Sequence, residues 1–286
     1  MHVPVMLEEV LEYLALQPGG VYLDATCGLG GHAGAIARRL TSGFVIANDR
    51  DVDSLEIARQ NTADCADRIR FHHGRFSELD QALRVFGVER VNGLLADLGV
   101  SRYQLTAAER GFSITSEGPL DMRMDRSQPT TAADIVNFSA EKDLANLIYE
   151  LGEERRSRRI ARAIVRARPI RSTAHLAHVI ESVAPRTERI HPATRTFMAL
   201  RLAVNAELEE LDALLERAPR LVVPGGRIVI ITFMSLEDRK VKQKFQELSR
   251  SGAAILLTRH VVRPSEREIQ SNPPSRSAKL RAVEMK

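Results

Sequence analysis

The sequence Asp24-Ala-Thr-Cys-Gly-Leu-Gly-Gly-His32 lies between two short apolar runs, and the second of these runs ends in Asp49. Val21–Leu23 predicts a buried strand, residues 33–40 predict a short helix, and residues 44–48 predict a second strand. Glycines allow a tight turn close to a ligand, and the first turn of a helix presents free N–H groups. An acid after the second strand can accept both hydroxyls of a ribose. This order of elements predicts a Rossmann-like site for an adenosine-containing cofactor.

Two acids bear on which cofactor this is. Residues 28–33 match the dinucleotide pattern G-x-G-x-x-G/A, with Asp49 at roughly the 20-residue offset that the pattern expects. Asp24, at the end of the first strand, suits the ammonium group of a methionine but would repel a pyrophosphate. Asp97 ends a later strand and should reach the same carboxyl edge of the sheet. These acids favour S-adenosylmethionine over NAD, while ordinary strand-end acids remain the alternative interpretation.

Strands and helices alternate through the first hundred residues, which predicts a parallel sheet covered on both faces. The predicted strands are 21–26, 43–49, 68–74 and 91–98, and the predicted helices lie near 32–40, 51–65 and 78–86. Strand signals resume at 226–233, after the turn Pro224–Gly226, and near 253–262 and 278–285. Ser235–Asp238 resembles a capping box that opens a helix to about Ser249.

Only helical signals occur between Ser101 and Asn205. Thr131 and Ser139 are typical helix N-caps. Further helices are predicted near 153–167, 173–183 and 193–216. The chain is therefore expected to contain a Rossmann-like domain, 1–100 with 206–286, interrupted by a helical domain, 101–205, which would serve substrate recognition.

Composition excludes several classes of protein. With 44% hydrophobic and 27% charged residues, the 286-residue chain can bury a sizeable core. Its two cysteines, Cys27 and Cys65, lack metal-ligand spacing, which favours a reducing compartment and no metal. No apolar run approaches the ~18 residues of a membrane span, and no signal-peptide pattern occurs. A cytoplasmic location without membrane association is expected.

The positive charge is unevenly distributed. Gly152–Arg201 contains 12 Arg, no Lys and 4 Glu, so this segment carries +8 and the rest of the chain −4. Arginine favours bidentate contacts with phosphate, so the segment suggests a polyanionic partner, although a solvated helix face would have a similar composition. The candidate substrate-binding residues are Arg123, Arg155, Arg158, Arg159, Arg162 and Arg195.

Ordered strings along nearly the whole chain resemble the ribosomal RNA small subunit methyltransferase H family. They are His2–Val5, Asp24–His32, Asp97–Ser101, Arg110–Ser113, Gly118–Asp125, Gly152–Arg155, His191–Phe197, Ser235–Arg239 and Ser275–Arg281. The resemblance implies S-adenosylmethionine-dependent N4-methylation of a decoding-centre cytidine in 16S rRNA, with the small ribosomal subunit as the expected partner; a homodimer is left open.

The resemblance also implies site residues. Contacts with S-adenosylmethionine are expected from Gly30, Gly31, His32, Asp49, Phe76, Asp97 and Gln104, to which the glycine-loop argument adds Asp24 and Gly28. The cytosine amine is a poor nucleophile whose lone pair is delocalised, so the base must leave its stack and be aligned. Asp97, Ser101 and Asp121 are the candidate acceptors for that amine, and no unique base is assigned.

The chain departs from the family pattern at several positions. Met234 stands where the family usually has His, Arg102-Tyr103 replace Ser-Pro, and Pro274 replaces Arg. Any proton-handling role of that histidine cannot apply here. Two alternatives therefore remain, an NAD-linked oxidoreductase and a non-catalytic nucleic-acid-binding protein with a relic cofactor pocket.

Overall fold

The computed structural model describes residues 4–184 and 190–286. Residues 1–3 and 185–189 lie outside this description, and with them part of the His2–Val5 string and two arginines of the basic segment. The chain divides into two compact units. The first unit comprises Met1–Gly99 and Leu208–Lys286, and the second comprises Val100–Glu207.

The first unit is built on a seven-stranded sheet. Its strands are β1 (Val21–Asp24), β2 (Phe44–Asp49), β3 (Ile69–His73), β4 (Val91–Asp97), β5 (Val222–Thr232), β6 (Ala254–Leu256) and β7 (Lys279–Met285). Their order is β3-β2-β1-β4-β5-β7-β6. Neighbours from β3 to β5 are parallel, whereas β7 runs antiparallel to both β5 and β6. The predicted Rossmann-like fold is confirmed.

The helices of the described residues fall into the two units by position. They are α1 (Leu7–Leu14), α2 (Gly31–Ala37), α3 (Val52–Asn61), α4 (Leu79–Val85), α5 (Arg102–Thr106), α6 (Ala132–Phe138), α7 (Glu141–Gly152), α8 (Ser157–Arg166), α9 (Thr173–Val183), α10 (Thr194–Asn205), α11 (Glu207–Leu221), α12 (Ser235–Arg250) and α13 (Glu266–Ser271). The second unit contains α5–α10.

Both faces of the sheet are buried. Successive β4 residues Leu94 and Leu95 are fully buried but belong to different apolar clusters, because side chains alternate across a strand. The Leu94 cluster includes Leu214 of α11, and the Leu95 cluster includes Ile36 of α2. Helices therefore cover the sheet on two sides and leave the ends of its strands for a site.

The second unit has its own apolar core, which includes Leu144, Ile160, Leu176 and Leu200, all fully buried. The arginines of α8 lie on the side opposite Ile160, so this helix is amphipathic. The N-cap predicted at Thr131 is confirmed, since its hydroxyl accepts from the Asp134 N–H.

Several predicted boundaries were wrong. The helix expected over 193–216 is two helices, because Ala206 adopts a left-handed conformation (φ 47°) between α10 and α11. The helix expected over 153–167 begins only at Ser157, since Glu153 is also left-handed (φ 50°) and ends α7. The strand expected over 253–262 is only β6, after which a single bridge joins Val262 to Leu280. Helices α1 and α13 were not predicted.

Two predicted N-caps were displaced by one residue. Helix α7 is capped by the backbone of Ala140 rather than by Ser139. Helix α12 has Met234 rather than Ser235 at its N-cap, because the Glu237 carboxylate accepts from the N–H groups of Phe233 and Met234. Asp238, which the predicted capping box placed in the role held by Glu237, binds Arg281, with its Oδ1 2.7 Å from the guanidinium Nε.

Candidate active site at the carboxyl edge of the sheet

Three acids end three neighbouring parallel strands. Asp24 ends β1, Asp49 ends β2 and Asp97 ends β4. Strand β1 lies between β2 and β4, so the chain order reverses at β1. Open α/β sheets bind ligands outside the carboxyl ends of the strands at this switch point. The structure thus brings the three predicted acids to the edge where a cofactor would bind.

The glycine loop is closed by Asp49. The Gly28 N–H donates to Asp49 Oδ2 at 2.7 Å, and the Asp51 N–H donates to Asp49 Oδ1 at 2.9 Å. Gly28 and Gly30 have positive φ angles of 51° and 84°. Each carboxylate oxygen retains a lone pair, so Asp49 can fix the loop and still accept a hydroxyl.

Gly30 is needed for both its conformation and its lack of a side chain. A Cβ there would lie 2.9 Å from Thr62 Cγ2 and 3.2 Å from Ala58 Cβ. We expect Gly30→Ala to lower the free energy of unfolding by about 2–4 kcal/mol, from backbone strain plus overpacking. Gly87→Ala is the matched control, because Gly87 has φ +67° with nothing within 4 Å of a Cβ. Urea denaturation would measure both, and equal losses would contradict this account of Gly30.

Asp24 and Asp97 each keep one carboxyl oxygen without a partner. Asp24 is fully buried, and its Oδ1 accepts from the Thr26 N–H at 3.1 Å while Oδ2 has no hydrogen bond. The Asp97 N–H donates to Thr26 Oγ1 at 2.6 Å, and the buried Oδ1 of Asp97 has no partner. Thr26 therefore links the two acids, and a ligand cation or N–H group would satisfy the remaining oxygens.

Burial raises the pKa values of all three acids, and the charge of a neighbouring carboxylate adds to the rise in each. Burial raises the pKa of Asp24 to about 7 and that of Asp49 to about 6. Burial, followed by the charges of Asp24, Glu237 and Glu268, raises the pKa of Asp97 well above its ordinary value. Such a cluster favours a cationic ligand, because a nearby positive charge stabilises the ionised carboxylates against both burial and repulsion.

We expect the affinity for S-adenosylmethionine to increase with pH up to about 7. The folded pKa of Asp24 exceeds its ordinary value of 3.8, so ionisation costs stability as the pH rises from 3.8 to about 7. A bound ammonium group favours the ionised form, so binding below pH 7 must release a proton. The affinity should then change by up to tenfold per pH unit below 7 and less above it.

Isothermal titration calorimetry at pH 5.5 to 8, in buffers of different ionisation enthalpy, measures both the affinity and the released proton. Asp24→Asn should bind more weakly and lose this pH step. An affinity that is constant from pH 5.5 to 7.5 in the unaltered protein would contradict the role given to Asp24.

His32 connects the glycine loop to the N-terminal segment. It is buried at the start of α2, with Nε2 2.9 Å from the Val5 carbonyl oxygen and Nδ1 3.9 Å from Asp97 Oδ2. A Cβ on Gly31 would lie 2.9 Å from Pro4 Cγ, so this loop touches the same segment. Phe76 follows β3 and is partly buried against the apolar core. The cofactor contacts predicted for Gly31, His32 and Phe76 stay predictions.

Two acids beside Asp97 were missed by sequence reasoning. Glu237 is almost fully buried at the start of α12, and Glu268 of α13 accepts from the Met6 N–H at 2.7 Å. Both contribute to the electrostatic field at Asp97. The capping box at 235–238 was a signal for Glu237, but it was assigned one residue out of register. Nothing local to Glu268 pointed to this role, since its partner is 262 residues away.

Two candidate acceptors of the second unit already have structural partners. The Ser101 Oγ accepts from the Gln104 N–H, and the Gln104 Oε1 accepts from the Ser101 N–H, which caps α5. Asp121 binds Arg123 through both carboxylate oxygens. Although burial opposes it, this pairing with Arg123 lowers the pKa of Asp121. A carboxylate held in this way is a weak base.

The predicted substrate-binding arginines differ in availability. Arg155, Arg158, Arg159 and Arg162 are exposed, and only a loose contact of 3.5 Å joins Arg162 to Glu141. Arg195 is partly buried and lies 3.8 Å from the buried Glu154. Arg123 also donates to the carbonyl oxygens of Arg126 and Gln128. Arg123 therefore joins residues of the loop 121–128, whereas the α8 region presents its arginines to solvent.

The described residues also bear on the expectations for the cysteines, for metal binding and for membrane spans. Cys27 and Cys65 are buried free thiols. Across residues 4–184 and 190–286, no group of three or more His, Cys, Asp or Glu side chains is placed to hold a metal ion. In the same ranges, no helix combines the length and apolar character needed to cross a membrane.

The sheet order, the glycine loop and the buried acids define a class. A pyrophosphate would lie against three carboxylates at this edge, whereas the ammonium and sulfonium charges of S-adenosylmethionine would offset them. The protein is a Rossmann-like S-adenosylmethionine-dependent methyltransferase.

Comparisons with known proteins place the chain more narrowly. A sequence model of the MraW methylase family matches residues 1–286. The ribosomal RNA small subunit methyltransferase H of Solibacter usitatus is 65% identical over 286 residues and covers 100% of both chains. The protein of the same name from Koribacter versatilis is 51% identical, covering 100% of this chain and 94% of its own. The chain belongs to the MraW methylase family.

A solved structure of an rRNA methylase from Streptococcus thermophilus aligns over 100% of this chain and 99% of its own, with 12% identity and a TM-score of 0.48. This degree of likeness adds nothing to the family assignment.

Proposed function

We propose that this protein transfers a methyl group to the exocyclic N4 of a decoding-centre cytidine in 16S rRNA. The observation that carries the chemistry is the pair of buried, unpartnered carboxyl oxygens on Asp24 and Asp97, which end the strands on either side of the switch point. The names of the relatives, together with motif strings spread along the chain, support small-subunit rRNA as the substrate.

The residues of the first unit would hold the cofactor. Asp24 would accept hydrogen bonds from the methionine ammonium group, Asp49 would accept the ribose hydroxyls, and Phe76 would pack on the adenine. Gly28, Gly30 and Gly31 would allow the backbone to approach, with His32 fixing the start of α2 beneath it. When bound, S-adenosylmethionine supplies a methyl carbon that its sulfonium already activates.

Asp97 is the residue best suited to orient the cytosine amine. Its Oδ1 is without a partner, whereas Ser101 and Asp121 are engaged in their own unit. An acceptor at the amine holds the lone pair in line for attack. A carboxyl with a raised pKa is also a stronger base, so Asp97 can receive the proton that the amine loses.

Met234 does not remove an acid or base from this scheme. At the Met234 position, the main-chain N–H donates to Glu237 and fixes the start of α12. That contact depends on the backbone and not on the side chain. The proposal therefore assigns no proton transfer to position 234.

The exposed arginines of α8 and the preceding loop would bind rRNA phosphates, and the small ribosomal subunit in the cytoplasm is the proposed form of the substrate. Arg158 and Arg159 have no ion pair within the described ranges, which leaves their guanidinium groups available for bidentate phosphate contacts.

The test is turnover on small ribosomal subunits that lack the modification. The subunits are incubated with isotope-labelled S-adenosylmethionine, digested to nucleosides and analysed by mass spectrometry. Labelled N4-methylcytidine is the expected product. Cofactor binding without a labelled nucleoside would overturn the proposal and favour a nucleic-acid-binding protein with a relic pocket.

A further inference from the structure

A second group of exposed arginines lies in the first unit, between β6 and β7. Arg259, Arg263, Arg267 and Arg276 are all exposed. Within the described ranges, none of their guanidinium groups forms an ion pair or a hydrogen bond. Other arginines of the unit have carboxylate partners, as Arg38 has in Asp64 and Arg217 has in Asp80. The segment 257–277 therefore carries four arginines that form no ion pair within the described ranges, beside two glutamates, Glu266 and Glu268.

The topology places this segment at the edge that holds the candidate active site. Strand β7 is antiparallel to β5, and its first residue, Lys279, pairs with Thr232 at the carboxyl end of β5. The residues just before β7, including Arg276, therefore lie at the carboxyl edge of the parallel strands, where Asp97 ends β4.

Helix α13 provides an independent link to the same place. Its Glu268 Oε1 accepts from the Met6 N–H at 2.7 Å, and the neighbouring Val5 carbonyl oxygen lies 2.9 Å from His32 Nε2. After burial and the charges of Asp24 and Glu237, Glu268 also raises the pKa of Asp97. Arg267 precedes Glu268 in α13, so its guanidinium group belongs to a helix that contributes to the electrostatic field at Asp97.

The positive charge of the segment 257–277 indicates which kind of partner it would bind. Its four arginines face only two glutamates, Glu266 and Glu268, and Glu268 is already engaged by Met6. Spaced, exposed cations that outnumber the acids among them bind a polyanion whose charges repeat, such as a phosphate backbone. An acidic protein surface would also offer carboxylates for bidentate contacts, but not negative charges that repeat at the regular spacing of a nucleic-acid backbone.

We propose that Arg259, Arg263, Arg267 and Arg276 form a phosphate-binding surface that holds the RNA backbone next to the nucleotide being methylated. These arginines belong to the first unit, whereas the exposed arginines of α8 belong to the second. The inference rests on the proposed function, because it takes RNA as the substrate, and it adds a second place where that RNA is held.

The test replaces all four arginines by Gln and measures methylation of small subunits over a range of salt concentrations. We expect KM to rise at least ~10-fold while kcat stays within about twofold, since phosphate contacts supply affinity. The slope of log affinity against log salt should fall by roughly 3, given about 0.7–0.9 for each of the four lost phosphate contacts. An Arg→Lys version of the same four sites should retain most of the affinity.

The matched control replaces Arg84, Arg90, Arg220 and Arg250 by Gln. These are exposed arginines of the same unit near the amino ends of its strands, where α4, α11 and α12 end and β4 begins. The control should keep the KM and the salt dependence of the parent. The melting temperature and the Kd for S-adenosylmethionine should be unchanged in both variants.

Two results would overturn the inference. One is a Gln variant at the four sites with the same KM and salt slope as the control. The other is a weakened Kd for S-adenosylmethionine that accounts for the loss, which would make the segment part of the cofactor site. If the parent itself methylates nothing, the proposed function fails, and binding of unmodified subunits by the two variants still compares the two arginine sets.

Discussion

Asp97→Asn is expected to lower kcat for rRNA methylation by at least ~100-fold, while the affinity for small subunits stays within about threefold. The reason is that the amide keeps the size of the side chain but loses the ability to take up a proton. General acid–base groups contribute about 10²–10⁴ to rate. In the unaltered protein, Asp97 Oδ1 is the one oxygen of the three candidate acceptors that has no partner.

The measurement is single-turnover methylation at saturating S-adenosylmethionine, with subunit binding measured separately. Asp67→Asn is a suitable control, because Asp67 is exposed and paired only with the adjacent Arg68. The pH profile adds a readout that a purely structural defect would not move, since Asp97→Asn should lose the acidic limb of the rate profile. Activity equal to that of the parent would remove Asp97 from the chemistry.

Asp49→Ala is expected to weaken S-adenosylmethionine binding at least ~100-fold. The substitution removes the acceptor of the Gly28 and Asp51 N–H groups as well as the proposed partner of the ribose. A hydrogen bond to a charged group contributes about 1.5–3 kcal/mol, so the loss of the loop contact and one ribose contact accounts for an effect of this size.

Equilibrium dialysis with labelled S-adenosylmethionine measures the effect of Asp49→Ala. Asp49→Asn retains one acceptor oxygen and should fall between Ala and the parent. The thermal midpoint should fall only slightly, because the pKa of Asp49 is raised by burial to about 6, so removing this carboxylate also removes a desolvation cost. Unchanged affinity in the Ala variant would mean that neither the loop contact nor a ribose contact of Asp49 contributes to cofactor binding.

The parts of the site that were predicted correctly depend on local sequence. A strand, a glycine loop and a strand-end acid follow one another within the 29 residues 21–49, and the parallel sheet then brings Asp24, Asp49 and Asp97 to one edge. The alternation of elements in the first hundred residues likewise predicted parallel strands covered by helices on both faces, but not the order of those strands.

The parts that were missed depend on distant contacts. Glu268 meets Met6 across 262 residues, and no local periodicity encodes that pairing. The break at Ala206 is similar, because the preceding Asn205 is fully buried and bonds to Met122 and Met124 in a loop 81 to 83 residues away. Asp121 was predicted as a candidate acceptor and Arg123 as a substrate-binding residue, and local sequence did not indicate that the two bind each other.

The position of β7 has a consequence for synthesis of the chain. This strand follows β6 in sequence but lies between β5 and β6 in the sheet. Strands β5 and β6 therefore cannot form their hydrogen bonds with β7 until Lys279–Met285 has been synthesised. During translation, the apolar run Ile228–Ile231 of β5 therefore lacks its β7 partner and leaves one edge of the sheet unpaired. Unpaired strand edges promote aggregation. The helices of residues 100–207, which are made before β5, can acquire their own core in the meantime. Nascent chains that stop short of residue 279 should consequently depend on chaperones far more than full-length ones.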